Sequence, residues 1–236
     1  GLNINHEVGS THPEGLQARV LAEKADVGIA FDGDGDRIVM VDHRGELVDG
    51  DELIYLIARE RQRAGRAVGG VVGTLMSNFG MEKAIQALGL EFVRANVGDR
   101  YVMAALESRG WSLGGEASGH IVCLDKATTG DAIVAALQVL AAMVSSGKSL
   151  HELKAGMSKY PQVLINVRLA QKIDVKTVPS VQKAVAHAES RLADQGRVLL
   201  RASGAEPLIR VMVEGADAAL VQELAEELAE VVRNSL

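Results

Sequence analysis

The chain has 236 residues, of which 47% are hydrophobic, 24% are charged and only 3% are aromatic, and its formal net charge at pH 7 is −6. A chain of this length and composition can bury a genuine core and is not typical of disordered proteins. The acidic balance argues against nucleic acid as a partner, because a phosphate backbone requires a basic surface. No apolar run reaches the ~20 residues of a membrane span, and the one cysteine, Cys123, fits a reducing compartment. We therefore expect a cytoplasmic protein without a membrane partner.

The first 45 residues predict part of a domain. They contain a helix at about 14–24, a strand at 27–31 and the first strand of a hairpin at 38–42, whose second strand follows at 46–48. The chain starts without an initiator Met and without a helix cap. We expect these residues to be the C-terminal part of a truncated domain.

Residues 46–158 alternate helices and strands. The pattern predicts helices at 51–64, 81–88, 99–108 and 131–144, and strands at 68–72, 91–95, 111–114 and 121–124. This order implies an α/β domain with a parallel sheet covered on both faces. Ligands of such sheets bind at the carboxyl ends of the strands. The helix at 131–144 is apolar on nearly every side, which predicts that it is buried.

Residues 159–236 predict a small α+β domain. Its elements follow in the order strand (163–169), helix (177–193), strand (197–200), strand (208–213) and helix (217–233). The last helix has leucines on one face and glutamates on the other, which indicates one packed and one solvated side.

Three aspartates follow the first predicted strand, in the sequence Asp32-Gly33-Asp34-Gly35-Asp36. Held about 4 Å apart at an effective dielectric constant of about 20, two ionised carboxylates repel by roughly 4 kcal/mol. A cation would remove this repulsion, and hard oxygen donors indicate Mg²⁺ or Ca²⁺ rather than zinc. A solvated acidic turn is the alternative. An EF-hand does not match, because Arg37 and His43 stand where Gly and Glu are required.

A glycine-rich segment between two predicted strands contains Glu116, Ser118 and His120. These residues alternate, so an extended loop can present all three on one side. A carboxylate, a hydroxyl and an imidazole together suit the hydroxyl groups of a sugar. A nucleophilic Ser–His pair is a sharper alternative, but the strand–turn–helix elbow of such nucleophiles is missing around Ser118. A plain polar turn is the other alternative.

The loop between the last two predicted strands begins with Arg201, continues through Ser203 and Gly204, and is followed by Arg210. Arginine can bind phosphate in bidentate fashion. A hydroxyl and glycine-flanked backbone N–H groups complete an anion-binding nest. An ordinary β-turn with an incidental arginine is the alternative.

Taken together, the three loops resemble the motifs of the α-D-phosphohexomutase superfamily, in the same order and over essentially the whole chain. The matching segments are FDGDGDR at 31–37, GEASGH at 115–120 and RASGAEPLIR at 201–210. Two more, VGDRY at 97–101 and TTGD at 128–131, favour the glucosamine branch over the phosphomannomutases. The resemblance implies conversion of glucosamine 6-phosphate to glucosamine 1-phosphate through a bisphosphorylated sugar and an enzyme phosphoserine.

The superfamily has four domains around a central cleft. By resemblance, residues 1–45 end the second domain, residues 46–158 form the third and residues 159–236 form the fourth. The implied roles are Mg²⁺ binding by Asp32, Asp34 and Asp36; contact of Arg37 with the phosphate in transfer; recognition of sugar hydroxyls by Glu116, Ser118 and His120; and binding of the idle phosphate by Arg201, Ser203, Gly204 and Arg210.

The sequence also departs from the family. Neither the phosphoserine motif, a Ser-His-Asn-Pro-like run, nor the N-terminal domain that carries it is present in the 236 residues. We therefore expect that the chain alone has no mutase turnover and needs that domain as a partner. Ala205 stands where Thr is usual, which removes a hydroxyl from the phosphate loop, and Ala117 replaces a longer, often polar residue, which we expect to reduce sugar selectivity. A homodimer is left open.

Three alternatives remain at this point. The first is a phosphoglucomutase or phosphomannomutase, and the second is a sugar-phosphate-binding fragment without catalysis. The third is a phosphatase of the haloacid dehalogenase type, whose aspartyl nucleophile also follows a strand. It fits poorly, because Asp36 stands where that family expects Thr or Val.

Overall fold

The computed structural model of the chain describes residues 1–66, 69–168, 177–202 and 207–235. The chain forms two compact units, Gly1–Ser158 (unit 1) and Lys159–Leu236 (unit 2). Within the described ranges, no helix has the length and apolar character needed to cross a membrane.

The first part of unit 1 is a three-stranded antiparallel sheet with one helix beside it. Its elements are α1 (Glu14–Glu23), β1 (Val27–Phe31), β2 (Ile38–Asp42) and β3 (Leu47–Val48). Strand β2 lies in the middle and is buried along its whole length. Phe31 pairs with Ile38 across the first two strands, and the N–H of Asp32 donates to the carbonyl of Arg37 at 3.2 Å. The acidic loop is therefore the closed end of a hairpin.

The rest of unit 1 alternates helices with the strands of a second sheet. The elements are α2 (Gly50–Arg63), β4 (Gly70–Thr74), α3 (Phe79–Ala87), β5 (Glu91–Ala95), α4 (Asp99–Arg109), β6 (Leu113–Gly115), β7 (Ile121–Cys123), α5 (Ala132–Ser146) and α6 (Leu150–Lys154). The strand order is β5-β4-β6-β7, with β4 parallel to both of its neighbours. The predicted parallel α/β arrangement is confirmed for these three strands. Strand β7 runs antiparallel to β6, because a short turn rather than a crossover helix joins the two.

Side-chain caps fix where several helices begin. Asp49 accepts the N–H groups of Asp51 and Glu52 and starts α2 with a capping box, and Asn78 and Asp131 cap α3 and α5. Helix α6 begins with a second capping box, between Ser149 and Glu152. Helix α6 is absent from the predicted elements, although its Ser-x-x-Glu pattern is a recognised start signal.

One hydrophobic core holds both sheets of unit 1. Ile38 and Met40 of β2 belong to the same cluster of buried side chains as Val71 of β4 and Leu113 of β6, and α2 supplies its largest part. This shared core sets the end of β1, where the acidic loop starts, relative to the end of β6, where the glycine-rich segment starts.

Helix α5 is only partly buried, so its predicted burial is wrong for one face. Ile133, Leu137 and Val144 are 58%, 55% and 85% exposed. The face that packs on the core is made mostly of alanines, such as Ala135 and Ala142. Small side chains let this helix approach the core closely, and Val139 is buried with them, whereas Ile133, Leu137 and Val144 point outward. When the sequence of a helix is apolar on every side, it does not indicate which side packs against the core.

Unit 2 is a three-stranded antiparallel sheet covered by two helices. Its elements are β8 (Gln162–Arg168), α7 (Pro179–Leu192), a 3₁₀ turn (Ala193–Gln195), β9 (Gly196–Ala202), β10 (Leu208–Gly215) and α8 (Ala218–Asn234). Strand β10 lies between the other two. The core contains alternate residues of β10, including Val211 and Val213, and the apolar face of α8, including Leu224 and Leu228. The predicted α+β organisation is confirmed.

Candidate functional site

The acidic loop brings its three carboxylates together. Oxygens of Asp32, Asp34 and Asp36 lie within 4.8 Å of one another. At an effective dielectric constant of about 20, this separation corresponds to a repulsion of about 3.5 kcal/mol for each ionised pair. The loop is thus arranged for a positive charge between the carboxylates.

In both Asp32 and Asp36, one carboxylate oxygen contacts hydrogen-bonding groups of the described residues and the other oxygen does not. Asp32 Oδ1 accepts the N–H groups of Gly35 and Arg37 at 3.1 and 3.2 Å. Asp36 Oδ2 lies 3.0 Å from His120 Nδ1. Asp36 Oδ1 is buried and has no hydrogen-bond partner among the described residues. Asp32 Oδ2, the exposed Asp34 and Asp36 Oδ1 therefore offer three oxygen donors, which is a set that fits a hard divalent cation.

Arg37 follows the acidic loop and leaves its side chain exposed. Its Nε lies 4.0 Å from Asp32 Oδ2, at the limit of an ion pair. An exposed guanidinium this close to three carboxylates can bind an anion that also approaches a cation in the loop.

The glycine-rich segment lies directly against the acidic loop. Arg37 and His120 form an antiparallel bridge, and the N–H of Ile38 donates to the carbonyl of Gly119 at 3.1 Å. His120 is 5% exposed, and a side chain at Gly130 would overlap its ring. Two segments that the sequence analysis assigns to different domains are thus neighbours within unit 1.

The predicted sugar-reading residues divide into a pair and a single residue. Ser118 Oγ donates a hydrogen bond to Glu116 Oε2 at 3.4 Å, whereas His120 faces Asp36. Gly119 has φ +94°, which interrupts the extended conformation on which the alternation argument depends. Glu116 and Ser118 remain together, and the structure places His120 with the acidic loop.

The sequence patterns did not identify two further residues that contact this region. The N–H of Gly98, just before α4, donates to Glu116 Oε1 at 2.8 Å. The N–H of Gly33 donates to Asn5 Oδ1 at 2.9 Å. The VGDRY segment marked Gly98 only as a family signature, and nothing in the sequence pointed to Asn5.

In unit 2, Arg201 and Arg210 lie directly opposite each other on neighbouring strands, and Asn166 pairs with Arg210 on its other side. Directly paired residues of a sheet project from the same face, and like charges there repel. No described carboxylate is within ion-pair distance of either arginine. This row of one amide and two guanidinium groups favours an anion. Ser203 and Gly204, predicted to share the role, lie outside the described residues.

Cys123 lies in the core of unit 1, at the end of β7. Burial raises the pKa of its thiol above the ordinary value, and the nearby Arg61 only partly offsets this. A buried, protonated thiol is a poor nucleophile, so Cys123 is not a catalytic candidate.

Two sequence-family models match the chain. The phosphoglucomutase/phosphomannomutase alpha/beta/alpha domain III matches residues 49–160, and the phosphoglucomutase/phosphomannomutase C-terminal domain matches residues 164–231. Together they cover well over half of the chain.

Curated relatives and solved structures are similar over nearly its full length. The phosphoglucosamine mutase of Hahella chejuensis is 63% identical over 236 residues, which are 100% of this chain and 53% of that protein. That of Methylococcus capsulatus is 65% identical over 229 residues, covering 97% and 51%. The chain thus spans about half the length of these relatives. A crystal structure of Aspergillus fumigatus N-acetylphosphoglucosamine mutase with GlcNAc-6P and magnesium has a TM-score of 0.76 at 26% identity, covering 97% of this chain and 57% of that one.

Proposed function

The chain belongs to the phosphoglucomutase/phosphomannomutase family, and on that premise we propose that it provides the cation, sugar and phosphate sites of an enzyme that converts glucosamine 6-phosphate to glucosamine 1-phosphate. The high identity to two proteins named phosphoglucosamine mutase supports the amino sugar as substrate. The observation that carries the proposal is the acidic loop, in which the buried Asp36 Oδ1 lacks a partner among the described residues.

In this proposal Asp32, Asp34 and Asp36 hold Mg²⁺. When bound, Mg²⁺ neutralises negative charge on the phosphoryl group during transfer. The exposed Arg37 binds the same phosphoryl group from beside the loop. His120 keeps Asp36 in place through its Nδ1 contact at 3.0 Å, so that Oδ1 would remain available to a bound cation.

Glu116 and Ser118 recognise hydroxyl groups of the sugar. The N–H of Gly98 holds one oxygen of the Glu116 carboxylate, which fixes the direction of the other. Arg201 and Arg210, in their cross-strand row, bind the phosphate that does not react, and Ser203 and Gly204 stay predictions for the same role.

The phosphate donor is a phosphoserine outside these 236 residues. It transfers its phosphoryl group to the sugar 1-hydroxyl and gives a 1,6-bisphosphate. The 6-phosphate then returns to the serine, leaving glucosamine 1-phosphate and the phosphorylated enzyme. Because the chain lacks this serine motif, we expect no sustained turnover from the chain alone.

A chimeric enzyme tests the proposed function. This chain replaces the matching segment of the Hahella chejuensis enzyme, and formation of glucosamine 1-phosphate is followed by ³¹P NMR. We expect Mg²⁺-dependent turnover by the chimera and none by the chain alone. Asp34→Asn should abolish turnover, whereas Glu107→Gln, on the exposed side of α4, should not change it. A folded chimera without activity, or one that prefers glucose or mannose phosphates, would contradict the proposal.

Substitution of Arg201 tests the phosphate row of unit 2. Arg201→Ala should weaken binding of glucosamine 6-phosphate to the full chain by about 1.5–3 kcal/mol, the range for a charged hydrogen bond, which is roughly 10- to 150-fold. Isothermal titration calorimetry measures this directly. Arg233→Ala, which removes an exposed arginine paired with Glu230 on α8, should leave the affinity unchanged. Equal affinities for both variants would remove Arg201 from the proposed site.

A further inference from the structure

The segment that precedes α1 contacts the acidic loop on both sides of Asp32. Before Asp32, the N–H of Ser10 donates to the carbonyl of Phe31 at 3.1 Å. After it, the N–H of Gly33 donates to Asn5 Oδ1 at 2.9 Å, across 28 residues of sequence. The first carboxylate of the loop is therefore held between two hydrogen bonds from outside the hairpin.

The backbone at Asn5 and Gly33 suits this contact. Asn5 has φ +57°, in the left-handed region that asparagine adopts more readily than most residues. A Cβ at Gly33 would lie only 2.5 Å from Cγ2 of Ile4. The side chain of Ile4 thus packs where a larger residue at 33 would project, and Asn5 holds the Gly33 peptide beside it.

Gly33 joins the first two carboxylates of the loop, so its position affects their separation. Within the loop itself, the side-chain hydrogen bonds are those of Asp32 Oδ1 to the N–H groups of Gly35 and Arg37. Together with the backbone hydrogen bond from the N–H of Gly35 to the carbonyl of Asp32 at 3.2 Å, they close the turn from Asp32 to Gly35, but none of them contacts the N–H of Gly33. Without the external contact, repulsion between Asp32 and Asp34 would favour a more open loop and a weaker cation site.

We propose that Asn5 is a positioning residue of the cation site: its side-chain carbonyl fixes the Gly33 peptide and so holds Asp32 and Asp34 at the spacing that a divalent cation requires. The proposal rests on the use of this loop as a cation site in the proposed function. It assigns to the segment before α1 a part in metal affinity, separate from any contact with substrate.

The test measures Mn²⁺ binding to the full chain by electron paramagnetic resonance of the free ion. Asn5→Gly keeps the positive φ accessible and removes the acceptor, and we expect about 10-fold weaker binding, as for other residues that orient metal ligands. Asn5→Asp keeps an acceptor oxygen, so its affinity for Mn²⁺ should equal or exceed that of the wild-type chain. Asn3→Gly, the same change in the same segment, removes a side chain with no hydrogen bond to a described residue and should have no effect.

The outcomes separate this proposal from the proposed function. Absence of Mn²⁺ binding by the wild-type chain would overturn the cation site and this proposal with it. Binding by wild type and by Asn5→Gly with equal affinity would overturn the role of Asn5 alone. Thermal melting without metal shows whether each variant is folded. If Asn5→Gly is not, Asn5→Ala takes its place, and unchanged affinity in that variant would overturn the role equally.

Discussion

Replacing Gly119 by alanine is expected to lower the free energy of unfolding of unit 1 by roughly 3–5 kcal/mol, the range for a backbone clash added to strain. Gly119 has φ +94°, and an added Cβ would overlap the carbonyl oxygen of Ile38 and lie 2.8 Å from its carbonyl carbon. Both atoms are backbone, so no side-chain rotation can relieve the contact. The substitution would separate the start of β2 from the glycine-rich segment.

Urea unfolding of the two proteins measures this loss, and Gly89→Ala is the matched control. Gly89 also has a positive φ, +77°, but no atom lies within 4 Å of its Cβ position. An alanine there bears only the cost of the left-handed conformation, about 1–2 kcal/mol. If both variants lose the same stability, the close approach of Gly119 to Ile38 does not contribute.

Replacing Lys154 by methionine is expected to destabilise unit 1 by about 3 kcal/mol near neutral pH, the lower end for breaking a buried ion pair. Lys154 Nζ lies 3.0 Å from Oδ2 of the fully buried Asp42 and 2.8 Å from Glu46 Oε2. His151 Nδ1 lies 3.0 Å from the same Asp42 oxygen. The variant leaves a buried carboxylate with partial compensation, since His151 and two backbone N–H groups still contact Asp42.

The effect of this substitution should depend on pH. Burial raises the pKa of Asp42, but hydrogen bonds from Lys154, His151 and two backbone N–H groups outweigh it, and the pKa in the fold lies below the ordinary value of 3.8. The ionised carboxylate therefore contributes stability above the unfolded-state pKa, and this contribution is lost as the pH falls through the lower, folded-state pKa.

In Lys154→Met the pKa of Asp42 should rise toward or above its ordinary value. The loss of unfolding free energy relative to wild type should then be large near pH 7 and smaller at acid pH. Urea unfolding of both proteins at neutral and at acid pH measures it. Lys148→Met removes an ammonium group that forms no ion pair with a described residue, and it should not change the free energy of unfolding at either pH. A pH-independent loss in Lys154→Met would mean that Lys154 acts through packing of its methylene chain.

The acidic loop was predictable because its chemistry is local. Three aspartates at alternate positions after an apolar strand indicate converging oxygens wherever the strand lies. The hairpin at its ends and the α+β order of unit 2 follow from short-range apolar patterns in the same way. These are features that the nearest ten or fifteen residues decide.

The contacts around the loop were not predictable, because they join distant parts of the chain. Asp36 and His120 are 84 residues apart, and their contact depends on the core that α2 forms between both sheets. The alternation of Glu116, Ser118 and His120 predicted a common side, but the left-handed Gly119 turned His120 away. Strand β7 is antiparallel because the glycine-rich segment that joins it to β6 is a short turn, and the order of the predicted elements alone does not specify this.

Because one cluster of buried side chains joins both sheets of unit 1, the acidic loop and the glycine-rich segment are supported by the same core. Under the proposed function, a sugar that presents first one end and then the other to Arg37 would therefore rotate in front of two segments with a common support. In that proposal, reorientation between the two half-reactions would come from the ligand turning against both segments rather than from one segment moving past the other.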